Sequence, residues 1–428
     1  MGAAVGKWGG IELGHTILYL TDHWPYPPGE SFVTNEIRDL APHFDKILLL
    51  PTTMDPLGEM TREIPENCEV LTDVHAEILR RWNRRGFLGR LGAGINAKGV
   101  AREVLASRPF APREVIGEAA QIRISCDTIE NVMGSRFAEI DGAVSFWLNR
   151  GASIAAELSR RHEKIVSFAR GHGGDIYAGR VGKKYLPMQG FALRELHAIL
   201  PDSEAGVVHL REKYPKFAHK VELGRLGVDE HEPAAASNDD RLHVVSVSSL
   251  LPVKRVHLIA AALQHTERSI KWTHIGGGET LDLVTAELEQ IGDNVEVDLK
   301  GQVAHEDVLK WFEENPADVF VNVSSSEGLP VSIMEAFSYG IPAIATAVGG
   351  MPEIVTDDCG VLLDADFKPV ELGAILEGWD LSNVARRESA LSKQRNEYSS
   401  VKNEGAFAKH VGAAILDVAA QMLIFLPI

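Results

Sequence analysis

The chain has 428 residues, of which 45% are hydrophobic and 24% are charged, and its formal net charge at pH 7 is −17. This composition is typical of a soluble globular protein, and the length allows two or three domains. The acidic excess argues against general nucleic-acid binding, because a nucleic-acid site needs a basic face.

The first elements predict the opening of a doubly wound α/β sheet. Apolar runs at 17–20 and 46–50 predict strands, and Phe32 and Ile37 share one helical face between them. Ligands of such sheets bind at the carboxyl ends of the strands, so the proline-rich loop 23–31 is a candidate site. Its candidate residues are Gly29, Glu30 and Ser31. A plain turn rich in proline and glycine is the alternative.

A basic stretch follows, inside a segment from 77 to 161 that we expect to be mostly helical. Between 77 and 108 only two residues are acidic, whereas eight are basic: Arg80, Arg81, Arg84, Arg85, Arg90, Lys98, Arg102 and Arg108. Trp82, Phe87 and Leu88 interleave with these cations. Basic and aromatic residues on one helix are typical of a segment that contacts an anionic membrane surface. The alternative is a solvated face whose aliphatic stems cover the core.

A histidine flanked by glycines follows another predicted strand. The run 165–169 is apolar, and Arg170, Gly171 and His172 come directly after it. Glycines allow close backbone approach, and a polar residue at the end of a parallel strand is typical of a ligand site. A purely structural histidine is the alternative. A further strand is predicted at 198–201, and the residues expected to cap the helix after it are Asp202, Ser203 and Glu204.

The second half of the chain predicts a second doubly wound domain. Polar composition from 229 to 241 indicates a linker between a first domain, 15–228, and a second domain, 242–400. A C-terminal helix is expected at 401–428. In the second domain strands alternate with helices. The strands are predicted at 242–247, 271–275, 295–299, 319–323 and 343–346, and the helices near 256–264, 281–291 and 308–314.

Two cations, Lys254 and Arg255, follow the first strand of the second domain. Lysine supplies a compact charge and arginine a planar fork that matches phosphate oxygens. Cations are disfavoured at a helix N-terminus unless an anion binds there, so the pair is typical of a diphosphate site. A pair of surface cations is the alternative. A glycine triplet centred on Gly277 predicts a tight turn that borders the same cleft.

The most informative stretch runs from 324 to 354. A buried strand precedes a polar loop that contains Glu327, and Pro330 opens a helix that carries Glu335. Proline loses no hydrogen bond at a first helical turn, and the free N–H groups there suit an anion or a polar ligand. The two carboxylates are placed to grip different pairs of hydroxyls on one extended ligand. In the alternative, Glu335 is a surface helix residue and Glu327 a neighbour of the N-cap.

Further glycine-rich strings follow in a fixed order: Gly340-Ile-Pro342 and Gly349-Gly-Met-Pro-Glu353 come after the E-x7-E spacing of Glu327 and Glu335. Together they resemble the retaining glycosyltransferases of family 4, in particular members that assemble polysaccharide and lipopolysaccharide. The resemblance implies the GT-B fold. That fold is α/β, with two doubly wound Rossmann-like domains facing across a cleft and a C-terminal helix that crosses back to the first domain.

The resemblance also implies roles for the candidate residues. The implied catalytic residues are Glu327, which holds the sugar hydroxyls, and His172, which reaches the donor sugar or its β-phosphate. Lys254 and Arg255 would hold the donor diphosphate, and Glu335 the ribose hydroxyls. The other implied donor-binding residues are Gly277, Val303, Gly328, Leu329 and Pro330, and an acceptor or phosphate loop would contain Gly29, Glu30, Ser31 and Arg170. One departure is Ser249, where many relatives carry an arginine.

The expected function is that of a retaining hexosyltransferase. It would move a sugar from a nucleotide diphosphate sugar to a sugar, lipid-linked or small-molecule hydroxyl acceptor, in polysaccharide or glycoconjugate biosynthesis. Two alternatives stay open. One is a GT-B nucleotide-sugar epimerase or hydrolase, and the other is a non-catalytic donor-binding subunit of a glycan assembly complex.

No cofactor is expected beyond the nucleotide sugar as co-substrate. Asp364 and Asp366 spell the D-x-D of metal-dependent transferases, but no second cluster of oxygen ligands accompanies them, so we predict a capping turn and no essential metal. The three cysteines are scattered, which favours a reducing compartment, and no charged-then-apolar signal peptide opens the sequence. We therefore expect a cytoplasmic protein, at the inner face of the cell membrane if the basic stretch binds lipid.

Overall fold

Two parallel six-stranded sheets form the framework of the protein. The structure is a computed structural model that describes residues 14–424 apart from 28, 31 and 98. In the first sheet the strands run in the spatial order β3-β2-β1-β4-β5-β6, and every pair is parallel. The bounds of these strands are Thr16–Thr21 (β1), Lys46–Pro51 (β2), Cys68–Val70 (β3), Ile140–Ser145 (β4), Val166–Gly171 (β5) and Ala198–Pro201 (β6).

The second sheet has the same arrangement, in the order β12-β11-β10-β7-β8-β9 and again wholly parallel. In each sheet the first strand of that half of the chain lies in the middle. Later strands are added first on one side of it and then on the other, which is the doubly wound order. The bounds are Leu242–Val247 (β7), Ile270–Ile275 (β8), Val295–Gly301 (β9), Val319–Asn322 (β10), Ala343–Thr346 (β11) and Gly360–Leu363 (β12).

Helices connect the strands in both halves. Those of the first half are Val33–Leu40 (α1), Thr72–Arg84 (α2), Phe87–Ile95 (α3), Val100–Ser107 (α4), Pro112–Met133 (α5), Arg150–Arg161 (α6), Gly173–Ile176 (α7), Gln189–Glu195 (α8) and Glu204–Lys213 (α9). Those that follow are His257–Leu263 (α10), Leu281–Leu288 (α11), His305–Glu314 (α12), Val331–Ser338 (α13), Met351–Ile354 (α14), Pro369–Glu377 (α15), Val384–Glu397 (α16) and Ser400–Ile424 (α17). None of the helices in the described part of the chain is long and apolar enough to cross a bilayer.

Strand β1 of the first sheet is buried on both faces, which explains its unbroken apolar run from Ile17 to Leu20. Every residue of β1 after Thr16 is buried. Leu18 and Leu20 pack into one core cluster, whereas Ile17 and Tyr19 pack into the cluster on the opposite face. Successive side chains of a strand point to opposite faces, so a strand covered on both sides needs apolar residues at every position.

The C-terminal helix α17 returns to the first domain. Phe407, Val411 and Ile415 are buried in the same cluster as Ile17 and Tyr19. Where the chain crosses over, the N–H of Val228 donates to the Tyr398 carbonyl at 2.9 Å, and the N–H of Ser400 donates to the Val228 carbonyl at 3.1 Å. The apolar face of α17 is therefore part of the first domain's core, as the fold resemblance implied.

The predicted fold class is confirmed, with differences in detail. The central strand β4 lies inside the segment that was expected to be mostly helical, because its short run from Ile140 to Ser145 contains Asp141 and Gly142. Ser31, Lys98 and the residues 1–13, on which the signal-peptide expectation depends, lie outside the described residues.

Candidate functional site

The carboxyl ends of the two sheets meet at a pair of glycines. Gly173 follows the end of β5, and Gly328 lies in the loop after β10. A Cβ atom added to Gly328 would lie 2.9 Å from the Gly173 backbone nitrogen, and one added to Gly173 would lie 3.0 Å from the Gly328 nitrogen. Any larger residue would push the two loops apart, so these glycines allow the first and second domains to touch here.

Glu327 is buried at this junction and holds cations from both domains. Its Oε1 accepts hydrogen bonds from Lys254 Nζ at 2.5 Å and from Ser324 Oγ at 2.7 Å. Its Oε2 accepts from Arg180 Nη2 at 3.0 Å, and Arg180 belongs to the first domain. Burial raises the pKa of Glu327, but the charge and hydrogen bond of Lys254 outweigh it, so the pKa lies below its ordinary value. The carboxylate is therefore ionised and positioned from three sides.

The glycine pair after β11 fixes the backbone of the Glu327 loop. Gly349 adopts a φ of +55°, and a Cβ there would lie 1.9 Å from the Glu327 carbonyl oxygen. The N–H of Gly350 donates to the Gly328 carbonyl at 2.8 Å. Leu329 and Pro330 are buried beside this contact, and Pro330 is the N-cap of α13 rather than its first residue.

His172 lies across the junction, in the first domain. Its ring stacks on Phe146 at 4.5 Å between centroids and meets Trp147 edge-on at 4.7 Å. The Asp175 carboxylate accepts a hydrogen bond from the backbone N–H of His172 and lies 3.7 Å from Nδ1 of the ring. Neither ring nitrogen has a hydrogen-bond partner among the described residues. Burial lowers the pKa of His172, but the carboxylates of Asp175 and Asp202 raise it above its ordinary value. Nδ1 thus faces the Asp175 carboxylate, and Nε2 is buried at the junction without a hydrogen-bond partner among the described residues.

Asp202 lies at the same junction, where the sequence predicted only a helix cap. It was expected to help cap α9, but Ser203 is the N-cap and accepts from the Gly206 N–H at 3.3 Å. Asp202 is buried, and its Oδ1 has no hydrogen-bond partner within the described chain. A Cβ on Gly328 would lie 3.4 Å from its Oδ2. Burial raises the pKa of Asp202 to about 6.

Glu335 is buried on α13 and pairs with a histidine that the sequence did not single out. His305, the first residue of α12, places its Nε2 2.6 Å from Glu335 Oε1. The hydrogen bond from Glu335 raises the pKa of His305 above its ordinary value, although burial opposes it. Val303 lies two residues before His305 and is half-buried against the core of the second domain. A signal was available in the sequence, because His305 lies two residues after Val303, which the resemblance implies in donor binding.

Arg255 does not reach Glu327. Its Nε donates to the Val323 carbonyl and its Nη1 to the Ala365 carbonyl, both at 2.8 Å, and its Nη2 donates to the Ser324 carbonyl at 3.2 Å. Its backbone has a φ of +50°, and the guanidinium lies over the Phe367 ring at 5.6 Å. The structure therefore separates the predicted pair, with Lys254 at the junction and Arg255 fastening the loop after β10.

Gly277 belongs to a turn that joins strand ends. Its carbonyl accepts from the Leu250 N–H at 2.9 Å, and the N–H of Gly276 donates to the Gly301 carbonyl at the same distance. A Cβ on Gly276 would lie 1.9 Å from the Ser248 carbonyl oxygen. The predicted tight turn is thus present, and it connects the ends of β7, β8 and β9.

The residues assigned to an acceptor or phosphate loop are engaged within the first domain. Glu30 is buried and accepts from the N–H groups of His23 and Trp24, both at 2.6 Å, and from Trp147 Nε1 at 2.6 Å. Gly29 precedes it with a φ of +75°. Arg170 is buried between Glu36, at 2.9 Å, and Glu404 of α17. Glu30 therefore shapes the loop and Arg170 anchors the C-terminal helix, whereas both were expected near a ligand.

A second set of contacts crosses the junction. The Glu353 carboxylate accepts from the N–H groups of Glu204 at 2.8 Å and Ala205 at 2.9 Å, at the start of α9. Arg225 lies 3.2 Å from the same carboxylate. A carboxylate at a helix N-terminus is electrostatically favourable. The last glutamate of the glycine-rich string thus binds the first domain.

No group of three or more histidine, cysteine, aspartate or glutamate side chains is arranged to hold a metal ion in the part of the chain that the structure describes. Asp364 and Asp366 follow β12, and the N–H of Phe367 donates to the Asp364 carbonyl at 3.1 Å. The expectation that the reaction needs no metal stays a prediction.

Sequence relatives include several glycosyltransferases. The chain is 30% identical over 202 residues to the colanic acid biosynthesis glycosyltransferase WcaL of Escherichia coli K12, covering 44% of the chain and 48% of that relative. It is 26% identical over 271 residues to the GDP-mannose-dependent alpha-(1-6)-phosphatidylinositol monomannoside mannosyltransferase of Mycolicibacterium smegmatis, covering 56% and 64%. The chain thus spans about half to two thirds of the length of these relatives.

Solved structures share the architecture at low sequence identity. Anabaena HepE in complex with UDP has a TM-score of 0.61 at 16% identity, over 93% of the chain and 100% of the neighbour. Sucrose-phosphate synthase of Thermosynechococcus elongatus has a TM-score of 0.66 at 16% identity, over 96% and 99%. The family model named Glycosyl transferases group 1 matches residues 228–379. The chain therefore has the GT-B fold, and its residues 228–379 match the group 1 glycosyl transferases.

Proposed function

We propose that the protein is a retaining glycosyltransferase that moves a sugar from a nucleotide diphosphate sugar to a hydroxyl acceptor, in polysaccharide or glycoconjugate biosynthesis. The observation that carries the proposal is the ionised, buried Glu327, which Lys254 contacts at 2.5 Å where the ends of both sheets meet. Neighbours support the class of donor, since HepE was solved with UDP and with UDP-glucose and the Mycolicibacterium relative is GDP-mannose-dependent by name.

Lys254 would neutralise the diphosphate. It lies in the loop after β7, and its side chain is partly exposed at the junction. Negative charge grows on the diphosphate as it leaves, so a fixed cation stabilises the transition state more than the ground state. Glu327, once the donor has engaged Lys254, would accept hydrogen bonds from the sugar hydroxyls. His172 would donate or accept at the sugar or the β-phosphate through ring nitrogens that no described side chain occupies.

Glu335 would bind the ribose hydroxyls of the donor. It is the fifth residue of α13, and Glu327 lies in the loop that leads into the same helix. One rigid element therefore sets the spacing between the sugar end and the ribose end of the donor. His305 holds the Glu335 carboxylate from the side.

The proposal is tested by ligand-induced stabilisation. The melting temperature is measured with UDP, GDP and ADP and their sugars, for the parent and for Lys254→Ala, Glu335→Ala and the control Lys271→Ala. Lys271 is a second-domain lysine that pairs with Glu296 at 3.3 Å on β8 and β9, so it controls for loss of a lysine. A ligand at 100 times its Kd stabilises by roughly 2.7 kcal/mol. One nucleotide should stabilise the parent and the control but not the two site variants.

Product analysis separates the transferase from its alternatives. With the donor that binds, incubation is run with and without alcohol and sugar acceptors, and the anomeric configuration of the product is read by NMR. A transferred sugar with the donor's configuration is expected. Rapid release of free or epimerised sugar without acceptor would favour the epimerase or hydrolase. Stabilisation by a nucleotide sugar without any turnover would favour the non-catalytic donor-binding subunit.

We also propose that turnover needs no metal ion, since Lys254 supplies the positive charge. Activity in excess EDTA should equal activity in Mg2+. A loss that Mg2+ or Mn2+ restores would contradict this.

A lipid-linked acceptor is supported by an exposed apolar tip between α2 and α3. Phe87 and Leu88 are each 78% exposed, and Arg84 and Arg85 beside them are exposed as well. Arg80 is also exposed, but it pairs with Glu77, so its charge is compensated. Two exposed apolar side chains flanked by cations are suited to the headgroup region of an anionic membrane. We propose that this tip, residues 84–88, brings the acceptor-binding domain to the membrane.

The membrane proposal is tested by co-sedimentation with vesicles of neutral or anionic lipid. Parent protein is expected to bind anionic vesicles and to dissociate in high salt. Phe87→Ser/Leu88→Ser and Arg84→Glu/Arg85→Glu should each remove binding. A control, Lys310→Glu/Lys402→Glu, reverses two exposed or partly exposed cations elsewhere and should bind like the parent. Equal sedimentation of all four proteins would exclude the tip.

A further inference from the structure

Arg180 carries a positive charge from the first domain to Glu327 in the second. It lies in the 3-10 turn Ala178–Val181, and its Nη2 is 3.0 Å from Glu327 Oε2. The other end of the guanidinium packs on the first residue of α7, where a Cβ added to Gly173 would lie only 1.8 Å from Nη1. This Nη1 is buried and has no hydrogen-bond partner among the described residues. The guanidinium therefore has donor capacity that the protein does not use.

The second domain is short of positive charge for a diphosphate. Arg255, the other cation beside Lys254 in the sequence, is committed to three backbone carbonyls. Lys254 is then the cation that the second domain brings to Glu327. A diphosphate carries more than one negative charge, and a single lysine leaves part of it uncompensated in a site largely shielded from water. A planar guanidinium matches two phosphate oxygens at once.

We propose that Arg180 is the second diphosphate-binding cation of this protein. The inference rests on the proposed nucleotide-sugar donor. In the structure Glu327 binds Lys254 and Arg180 together, so its carboxylate occupies the position between the two cations that a phosphate group would take. When the donor enters, its phosphates engage both cations, and Glu327 turns to the sugar hydroxyls.

Lys254 and Arg180 come from different domains, so a diphosphate bound between them also joins the domains. Full stabilisation of the leaving group then requires both domains to be in contact, which limits donor hydrolysis while the domains are apart. Arg180 is in this sense a residue that binds the donor and couples its binding to domain contact.

The first test is calorimetric titration with UDP, GDP and ADP and with the corresponding nucleosides. The proteins are the parent, Arg180→Ala, and Arg225→Ala as matched control. Arg225 also crosses the junction, but it pairs with Glu353 at 3.2 Å and not with Glu327. Loss of one ion pair to phosphate should weaken the diphosphate by roughly 10- to 100-fold in Arg180→Ala. Nucleoside affinity should not change, and Arg225→Ala should bind like the parent.

A double-mutant cycle separates a ligand role from an interdomain contact. Glu327→Gln frees both cations, so it should tighten binding of the sugar-free diphosphate. Arg180→Ala in the Glu327→Gln background should lose that gain.

The outcomes distinguish a failure of the Arg180 inference from a failure of the proposed function. If one diphosphate binds the parent and Arg180→Ala equally, Arg180 is only an interdomain contact and the inference is wrong, while the proposed function stands. If Arg180→Ala and Arg225→Ala weaken binding equally, domain contact and not phosphate binding is responsible, and the inference again fails. If no nucleotide binds the parent, the proposed function fails and the inference with it.

Discussion

His305 Nε2 lies 2.6 Å from Glu335 Oε1, and this contact fastens the start of α12 to the middle of α13. The hydrogen bond with Glu335 raises the pKa of His305, and burial opposes it. A histidine whose pKa is raised on folding stabilises the protein fully below its ordinary pKa. That contribution is lost as the pH rises through the folded-state pKa.

The His305→Ala variant should therefore lose a pH-dependent share of stability. At pH 6 the melting temperature should fall by roughly 2–4 °C, which corresponds to about 1 kcal/mol. The gap between parent and variant should narrow by pH 9, where the histidine of the parent is neutral. His219→Ala, at an exposed position, is the control and should show no such trend. A gap that stays constant with pH would mean that the imidazole serves only as a packing group.

Gly349→Ala should disturb the Glu327 loop. A side chain is strained at a φ of +55°, which alone costs about 1–2 kcal/mol, and the added Cβ would lie 1.9 Å from the Glu327 carbonyl oxygen. We expect a lower melting temperature and loss of nucleotide-induced stabilisation, both followed by thermal shift.

Gly117→Ala is the contrasting control for Gly349→Ala. Gly117 lies inside helix α5, and a Cβ there would meet nothing within 4 Å. Alanine is favoured over glycine in a helix by about 1 kcal/mol, so this variant should be more stable than the parent. The same change of residue type would then have opposite signs at the two positions. A Gly349→Ala variant that is as stable as Gly117→Ala would show that the Gly349 turn tolerates a side chain.

Asp202→Asn should stabilise the protein at neutral and alkaline pH. Burial raises the pKa of Asp202 from 3.8 to about 6, which corresponds to about 3 kcal/mol of cost when the group is ionised. The sign follows from proton binding. Between pH 4 and 6 the folded state holds a proton that the unfolded state has lost, so stability falls as the pH rises, and the full cost is present above pH 6.

The melting temperature of Asp202→Asn should accordingly exceed that of the parent at pH 8, and the two should converge near pH 4. Activity should move in the opposite direction if the buried carboxylate contacts a ligand together with His172. Functional sites commonly contain buried groups that lower the stability of the folded protein. A variant that is less stable than the parent at pH 8 would show that the ionised carboxylate has partners that compensate its burial.

Arg170→Met should destabilise the protein far more than Glu404→Gln. Arg170 is buried and pairs with Glu36 at 2.9 Å and with Glu404 of α17. Removing the arginine leaves two buried carboxylates without a cation, and breaking a buried pair in this way costs about 3–5 kcal/mol. Glu404→Gln leaves Arg170 with Glu36 and removes a carboxyl whose pKa burial raises well above its ordinary value. Thermal melts of both variants check the order, and equal losses would contradict it.

The sequence predicted the elements that depend on local pattern. Continuous apolar runs identified most of the strands, because a parallel strand that packs on both faces needs apolar residues at every position. The order of the glycine-rich strings identified the Glu327 loop, since Gly349 must adopt a left-handed backbone and Gly350 must lie against Gly328. Strand β4 was missed because Asp141 and Gly142 interrupt its run.

The sequence did not reveal which side chains distant in the chain contact each other. Glu30, before α1, and Arg170, near the end of β5, have the residue types of ligand-binding groups. Only the folded structure shows that buried partners occupy them: the Glu404 carboxylate pairs with Arg170, and the Trp24 N–H donates to Glu30. Arg255 follows Lys254 directly, yet its φ of +50° and the nearby carbonyls direct it away from Glu327.

The sequence by itself determined the doubly wound class, the position of the E-x7-E string and the cation at Lys254. The tertiary structure decided which charges meet there. Arg180 lies 147 residues before Glu327, and Asp202 and His172 also come from the other domain. The local hydrophobic pattern indicates which face of a helix or strand is buried. It does not indicate which distant side chain packs against that face. Only the contact between the two domains brings these groups together.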